Sequence, residues 1–177
     1  DVYKRQPVAH GCSIYYLRDL PSAANLLPAL QKVKPTYMAS VPLIMEKIYK
    51  KRILAEINKR KVTRSLYRTP FGRKKLNRLA GKKLYQSFGG KLKLIVFGGA
   101  PLAPEVERFM IEANFPYACG YGLTETSPLL TAVVKNVRFQ SPGKPVPGVE
   151  VKIVDPDPKT GIGEIYARGP NIMKGYY

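Results

Sequence analysis

Apolar residues recur at helical spacing in four stretches, and short apolar runs lie between them. Pro21 to Val33 places Leu26, Leu27, Leu30 and Val33 on one face, although Pro28 inside the run argues for a start nearer Asn25. Pro42 suits the first turn of a second helix, which carries Ile44, Met45, Ile48, Tyr49, Ile53 and Ile57 inward and Lys47, Lys50, Lys51 and Arg52 outward. Lys61 to Arg73 has no clear period, and Pro70 and Gly72 read as breakers. A third helix then carries Leu76, Leu79, Ala80 and Leu84 inward and ends before the turn Gly89-Gly90. A fourth starts near Pro104, with Val106, Phe109, Met110 and Ala113 inward and Glu105 and Glu107 in the first turn, where carboxylates suit the helix dipole.

The short runs read as strands. Ser13 to Leu17, Thr36 to Val41, Leu92 to Phe97 and Pro116 to Cys119 are apolar or aromatic and bounded by glycine or proline. Thr36 to Val41 reads as a buried strand, and Leu92 to Phe97 is the kind of run buried on both faces in a parallel sheet. After Ser141 the texture changes. Val149, Val151 and Ile153 alternate with Glu150 and Lys152, Asp155 to Gly163 is turn-forming, and Gly163 to Arg168 returns. The expected fold class is α/β: a mostly parallel sheet flanked by helices, with a β-rich segment at the C-terminal end.

The chain has 177 residues, 45% of them apolar, enough for one domain with a core. No apolar run approaches the length of a membrane-spanning helix. Residues 1–6 show no periodic pattern, no signal-peptide core and no initiator Met; they read as a non-native junction, leaving 7–177 as part of one domain. Two distant cysteines, Cys12 and Cys119, suggest no disulfide scaffold, and a reducing, cytoplasmic setting follows by default.

Charge changes the picture. The formal net charge is +18, and from Lys47 to Lys93 there are 17 Lys or Arg against one acid, Glu56. Such a block attracts anionic lipid, a polyphosphate or nucleic acid, or it is a solvated helical face whose acidic partners lie elsewhere. No nucleic-acid motif is visible, so no specific nucleic-acid partner is expected. The lone histidine, His10, excludes a histidine cluster for metal and reads as incidental.

Two glycine-rich turns each follow an apolar strand. These are Gly98-Gly99-Ala100-Pro101 and Gly120-Tyr121-Gly122-Leu123-Thr124-Glu125-Thr126. Ligands of open parallel sheets bind at the carboxyl ends of strands. Glycine lets a base or phosphate approach the backbone, Tyr121 offers a ring, Thr124 a hydroxyl for a phosphate oxygen, and Glu125 a hard oxygen for Mg²⁺. A Gly-Tyr-Gly turn is more often only structural. No glycine-rich loop ends in Lys-Ser/Thr, so a P-loop enzyme is not supported.

At these residues the chain resembles a family. Tyr121-Gly122-Leu123-Thr124-Glu125-Thr126-Ser127-Pro128 is similar to the signature of the adenylate-forming (AMP-binding) superfamily. Gly98-Gly99-Ala100-Pro101-Leu102 resembles its adenine-side turn. Ser141-Pro142-Gly143-Lys144-Pro145 with Pro147-Gly148-Val149-Glu150 resembles the segment that follows. Gly163-Glu164-Ile165, Arg168-Gly169-Pro170 and Met173-Lys174-Gly175-Tyr176-Tyr177 resemble the motif before the ribose-binding region. Within the superfamily, Lys34-Pro35-Thr36, Ser40-Val41-Pro42, Glu46-Lys47-Ile48-Tyr49 and the long basic stretch are most similar to long-chain fatty acyl-CoA ligases.

The resemblance implies a ligase that joins a fatty acid to coenzyme A, with ATP and Mg²⁺, through an acyl-adenylate; the alternatives are another acyl- or aryl-activating enzyme of the superfamily or, in a different class, a basic membrane- or nucleic-acid-binding module. It implies Gly99, Ala100, Pro101, Gly120, Tyr121 and Gly122 around the nucleotide, Thr124 on the α-phosphate, Glu125 on the metal, and Val41, Pro42 and Gly122 at the edge of an acyl tunnel. It gives the basic stretch two uses, an anionic membrane or the phosphates of coenzyme A. The family's phosphate loop, its ribose-binding aspartate and its lid domain with a catalytic lysine are not in this sequence, so the polypeptide alone is expected to be inactive.

Overall fold

The computed structural model describes residues 7–17, 22–133 and 137–177. Residues 1–6, read above as a junction, and Pro21 lie outside the described residues.

Helix α1 (Ala23–Val33) starts earlier than Pro28 suggests because Ser22 caps it. The Ser22 hydroxyl accepts from the Asn25 N–H at 3.3 Å, and the Asn25 side chain accepts from the Ser22 N–H at 2.7 Å. Leu26, Leu27 and Leu30 are buried, and Lys34 closes the helix in the left-handed region. Strand β1 (Tyr37–Ser40) follows, then α2 (Pro42–Ile48), which runs without a break through a π-helical turn (Tyr49–Leu54) into α3 (Ala55–Asn58).

The π turn has a packing cause. The buried positions Met45, Tyr49, Ile53 and Ile57 step by four residues, and an α-helix of 3.6 residues per turn rotates such a row off its face. The wider turn keeps Ile53 and Ile57 against the core.

The stretch expected to be irregular is helical: α4 (Lys61–Tyr67) and α5 (Pro70–Ser87). Pro70 opens α5 at its first turn instead of breaking it, and Thr69 caps it by accepting from the Gly72 N–H at 3.2 Å. Gly72 is required because Leu66 of α4 lies against it. The buried face of α5 is Gly72, Asn77, Gly81 and Leu84, so the inward assignment of Leu79 is wrong; it is 55% exposed. Gly81 sits there because a side chain would meet Ala113.

Strands β1, β2 (Leu94–Phe97) and β3 (Tyr117–Tyr121) are parallel, with α6 (Pro104–Glu112) between β2 and β3. Strands β4 (Thr131–Val133) and β5 (Lys144–Pro145) continue the sheet antiparallel in the order β1-β2-β3-β4-β5. A separate antiparallel hairpin, β6 (Glu150–Val154) and β7 (Glu164–Arg168), pairs Glu150 with Arg168 and Val154 with Glu164. The α/β class with a mostly parallel sheet and a β-rich end therefore holds.

Three strand readings change. Ser13 to Leu17 is not a strand: it has no ladder partner among the described residues, and Tyr15 and Tyr16 stand in solvent. Thr36 to Val41 shortens to β1, which is an edge strand with Tyr37 exposed. The run to Phe97 is not buried on both faces, because the described helices cover the Ile95 and Phe97 side and leave Val96 exposed.

The core lies between that covered face and the helices: Met45, Ile48, Phe88, Ile95, Phe97, Val106, Phe109 and Met110 are almost fully buried. Tyr49 packs on Phe109 with ring centroids 5.4 Å apart, and Phe88 meets Phe115 edge-on at 5.8 Å. Beside it a polar chain ties four elements. Arg73 donates two bonds to Glu112 (2.8 and 3.0 Å), Asn77 donates to Glu112 (2.7 Å), Tyr67 donates to Asn77 (3.0 Å), and the Tyr49 and Tyr67 hydroxyls lie 3.1 Å apart.

Candidate active site at the strand ends

Pairing sets Ser40 opposite Phe97 and Phe97 opposite Cys119, so β1 and β2 end level at their carboxyl ends and β3 runs two residues further. The residues singled out in sequence leave the sheet together there: Val41-Pro42 after β1, Gly98 to Pro101 after β2, and Gly122 to Glu125 after β3. Gly120 and Tyr121, expected in a turn, belong to β3, because β4 returns alongside and pairs Ala132 and Thr131 with them.

The β2 turn is open. Gly99 has φ +83°, a left-handed conformation that favours glycine, and space is clear beyond both Gly98 and Gly99 where a side chain would project. Ala100 and Pro101 are exposed, while Leu102 is buried and anchors the turn. Val41 is exposed and Pro42 buried.

The β3 turn is tight. A side chain on Gly122 would collide with the Pro128 carbonyl oxygen, because the chain folds straight back and the Leu130 N–H reaches the Tyr121 carbonyl at 2.9 Å. A 3₁₀ turn (Thr124–Thr126) fills the reversal, closed by Ser127 at φ 47°. Buried Thr126 staples it: its hydroxyl accepts from the Leu123 N–H at 2.9 Å and donates to the Pro128 carbonyl at 2.8 Å. Thr124 is thereby left exposed, Tyr121 and Gly122 half-buried, and Glu125 half-buried with its carboxylate accepting from the Tyr176 hydroxyl. That hydrogen bond holds the Glu125 carboxyl below the usual carboxylate range.

Two supports were not read from the sequence. Glu107, assigned to the helix dipole, is instead buried, and accepts from the Tyr117 hydroxyl (3.2 Å) and from the backbone and side-chain N–H groups of Gln140 (2.8 Å for the backbone). The Gln140 amide also donates to the Leu102 carbonyl at 3.1 Å, so this carboxylate braces the β2 turn from behind. The signal was an acid on the apolar face shared by Val106 and Met110. The second support is the segment from Gly169 to Tyr176, which crosses the β3 turn. No local pattern announces it, since its partners lie more than 40 residues back.

Among the described residues no three His, Cys, Asp or Glu side chains gather as a metal cage. Glu125 stands alone, which fits Mg²⁺ bound through one or two carboxylates with the remaining positions taken by phosphate and water. The open space over Gly98 and Gly99 fits a flat ring lying close to the backbone.

The AMP-binding enzyme family matches the chain over residues 6–177. A long-chain-fatty-acid–CoA ligase of Mycobacterium bovis is 33% identical over 86% of this chain and 28% of its own length. Long chain acyl-CoA synthetase 1 of Arabidopsis thaliana is 31% identical over 84% of this chain and 26% of its own. The chain thus spans little more than a quarter of the curated relatives it matches. Among solved structures, o-succinylbenzoate coenzyme A synthetase of Bacillus subtilis, in complex with ATP and magnesium ion, superposes with a TM-score of 0.60. It is 19% identical, with 97% of this chain and 30% of that one covered; at that identity the likeness concerns the fold.

Proposed function

Because the chain belongs to the AMP-binding enzyme family, we propose that it supplies the nucleotide-gripping strand ends of a long-chain fatty acid–CoA ligase. The observation that carries this reading is the register of Ser40, Phe97 and Cys119, which brings an open glycine turn and the turn bearing exposed Thr124 and half-buried Glu125 out at the same end of the sheet. The 33% and 31% identical relatives support the long-chain acid as substrate.

In this reading adenine lies over Gly99, Ala100 and Pro101, with Gly120, Tyr121 and Gly122 forming the opposite wall. Thr124 donates its hydroxyl to an α-phosphate oxygen and holds the phosphorus in line for attack. A carboxylate approaching a polyanion is repelled, and Mg²⁺ held by Glu125 would offset that charge. The fatty carboxylate forms a bond to the α-phosphorus as the bond to pyrophosphate breaks. The thiol of coenzyme A, losing its proton, then attacks the acyl carbon and AMP leaves. Val41, Pro42 and Gly122 border the acyl chain. The phosphate loop, ribose aspartate and lid lysine come from sequence outside these residues, so residues 7–177 alone have no ligase activity.

The basic stretch from Lys47 to Lys93 runs from α2 through α5 to the approach of β2, and its Lys and Arg residues are exposed apart from half-buried Arg73. Among the described residues its ion pairs are Lys59 with Glu56 and Arg73 with Glu112. That surplus suits peripheral contact with the anionic inner face of a membrane, where long-chain acids reside, with the enzyme working from the cytoplasm. No helix among the described residues is long and apolar enough to cross a membrane.

The test is pyrophosphate exchange by the full-length protein that carries this chain. Exchange dependent on palmitate and magnesium is expected; exchange only with benzoate, a short acid or an amino acid would overturn the long-chain assignment. Glu125→Ala is expected to remove about 99% of exchange, equal to about 2.7 kcal/mol of transition-state stabilisation, while leaving the unfolding midpoint unchanged. Near-normal exchange by this variant at saturating magnesium would remove Glu125 from the metal role.

A further inference from the structure

The turn that carries Thr124 and Glu125 satisfies the carbonyls of Leu123, Thr124 and Pro128 from within, while those of Glu125, Thr126 and Leu129 accept from a segment far along the chain. The Asn171 side-chain amide donates to the carbonyls of Thr126 (2.7 Å) and Leu129 (2.9 Å), and the Met173 N–H donates to the carbonyl of Glu125 (2.9 Å). The Tyr176 hydroxyl donates to Oε1 of the Glu125 side chain. Four bonds from three residues thus fall on one short reversal, 42 to 51 residues earlier in the chain. Gly169 lets the segment approach, since a side chain there would lie 2.7 Å from the Asn171 Oδ1 and 3.0 Å from the Gly148 carbonyl. Oδ1 itself is buried with no hydrogen-bond partner among the described residues, so the amide is oriented there by what its N–H groups reach.

We propose that Asn171 and Tyr176 are positioning residues: the strap from Gly169 to Tyr176 sets the Thr124–Glu125 turn, and the Tyr176 hydroxyl points the Glu125 carboxylate, for a magnesium nucleotide. The division of labour is physical. Asn171 fixes the backbone, so that the direction of the Thr124 hydroxyl is set by the 3₁₀ turn before any ligand arrives. Tyr176 occupies Oε1 and leaves Oε2 for the cation, as an outer partner orients a metal-binding carboxylate. The proposal rests on the nucleotide reading of the site, and its test is built to fail separately.

The variants are Tyr176→Phe, which removes one hydroxyl, Asn171→Ala, and Asn171→Asp, which sets an oxygen against two carbonyl oxygens. Two measurements are made on the full-length protein that carries this chain: magnesium-dependent affinity for ATP, and amide hydrogen exchange across residues 122–131. Tyr176→Phe is expected to weaken magnesium-dependent ATP binding about tenfold, with unchanged exchange and an unchanged unfolding midpoint. Asn171→Ala and Asn171→Asp are expected to speed exchange in 122–131, with no change in β1 or α6, and to weaken binding by at least as much. Wild-type affinity in Tyr176→Phe, or wild-type exchange in both Asn171 variants, would overturn the proposal. If the wild-type protein does not bind ATP, the nucleotide reading falls, and the exchange result alone decides whether the strap sets the turn.

Discussion

At the scale of single residues, the glycines of the two turns divide by what surrounds them. Gly122 has no room for a methyl group, whereas Gly98 faces open space. Gly122→Ala is expected to cost more than about 3 kcal/mol, through collision with Pro128, and Gly98→Ala less than about 0.5 kcal/mol; urea unfolding of the protein checks both. Only the second variant stays folded, and its methyl group enters the proposed nucleotide mouth, so its loss is expected in ATP affinity. The cysteines separate in the same way. Cys12 is exposed, while burial pushes the Cys119 thiol up to about 11. Iodoacetamide at pH 8 is expected to label Cys12 and spare Cys119, and peptide mass spectrometry reads the difference. Because the folded thiol keeps its proton longer than the unfolded one, Cys119 also subtracts stability as pH rises from its ordinary value toward 11.

At the scale of elements, the polar chain across the π turn, α4, α5 and α6 makes a testable contribution. Burial pushes the Glu112 carboxyl up, but the bonds from Arg73 and Asn77 outweigh it and leave it below the ordinary value. A depressed carboxyl stabilises the fold above its unfolded value, near 4.3 for a glutamate, and that stability is lost as pH falls through the lower folded value. Arg73→Met is expected to cost about 2 kcal/mol at pH 7, because it leaves Glu112 short of partners, and progressively less below about pH 4. Denaturant titrations at the two pH values check it.

Helices whose apolar period is strong were legible in the sequence: α1, α2 and α6 bury most of the residues the spacing names, with Val33, Ile44 and Ala113 only partly covered. Where the sequence misled, the reason was tertiary. Pro70 has the composition of a breaker, but with Thr69 capping from the preceding position it opens the helix instead. Leu79 looked buried because the close approaches at Gly72 and Gly81 rotate α5 onto its glycine face. Ser13 to Leu17 had strand composition without a neighbour to pair with. The turns of the candidate site were legible because glycine, threonine and acid sit together in the chain. The Glu107 brace and the strap were not, because each joins residues more than 30 positions apart.

At the scale of the whole molecule, charge and edges dominate. A net charge of +18 repels itself in the compact state, so added salt is expected to raise the unfolding midpoint. A scan from about 20 mM to about 300 mM sodium chloride measures this; a midpoint that falls would mean that the few ion pairs outweigh the repulsion. The sheet, finally, ends differently on its two sides. Beyond β5 the ladder has little to offer, since that strand is two residues long and one of them is Pro145, which has no N–H. Beyond β1 four residues face outward without a described neighbour. Growth by added strands is therefore expected on one side only: a strand added from this protein or from a stray copy would join along Tyr37 to Ser40. Whatever completes the sheet there also shields the stretch where self-association would otherwise begin.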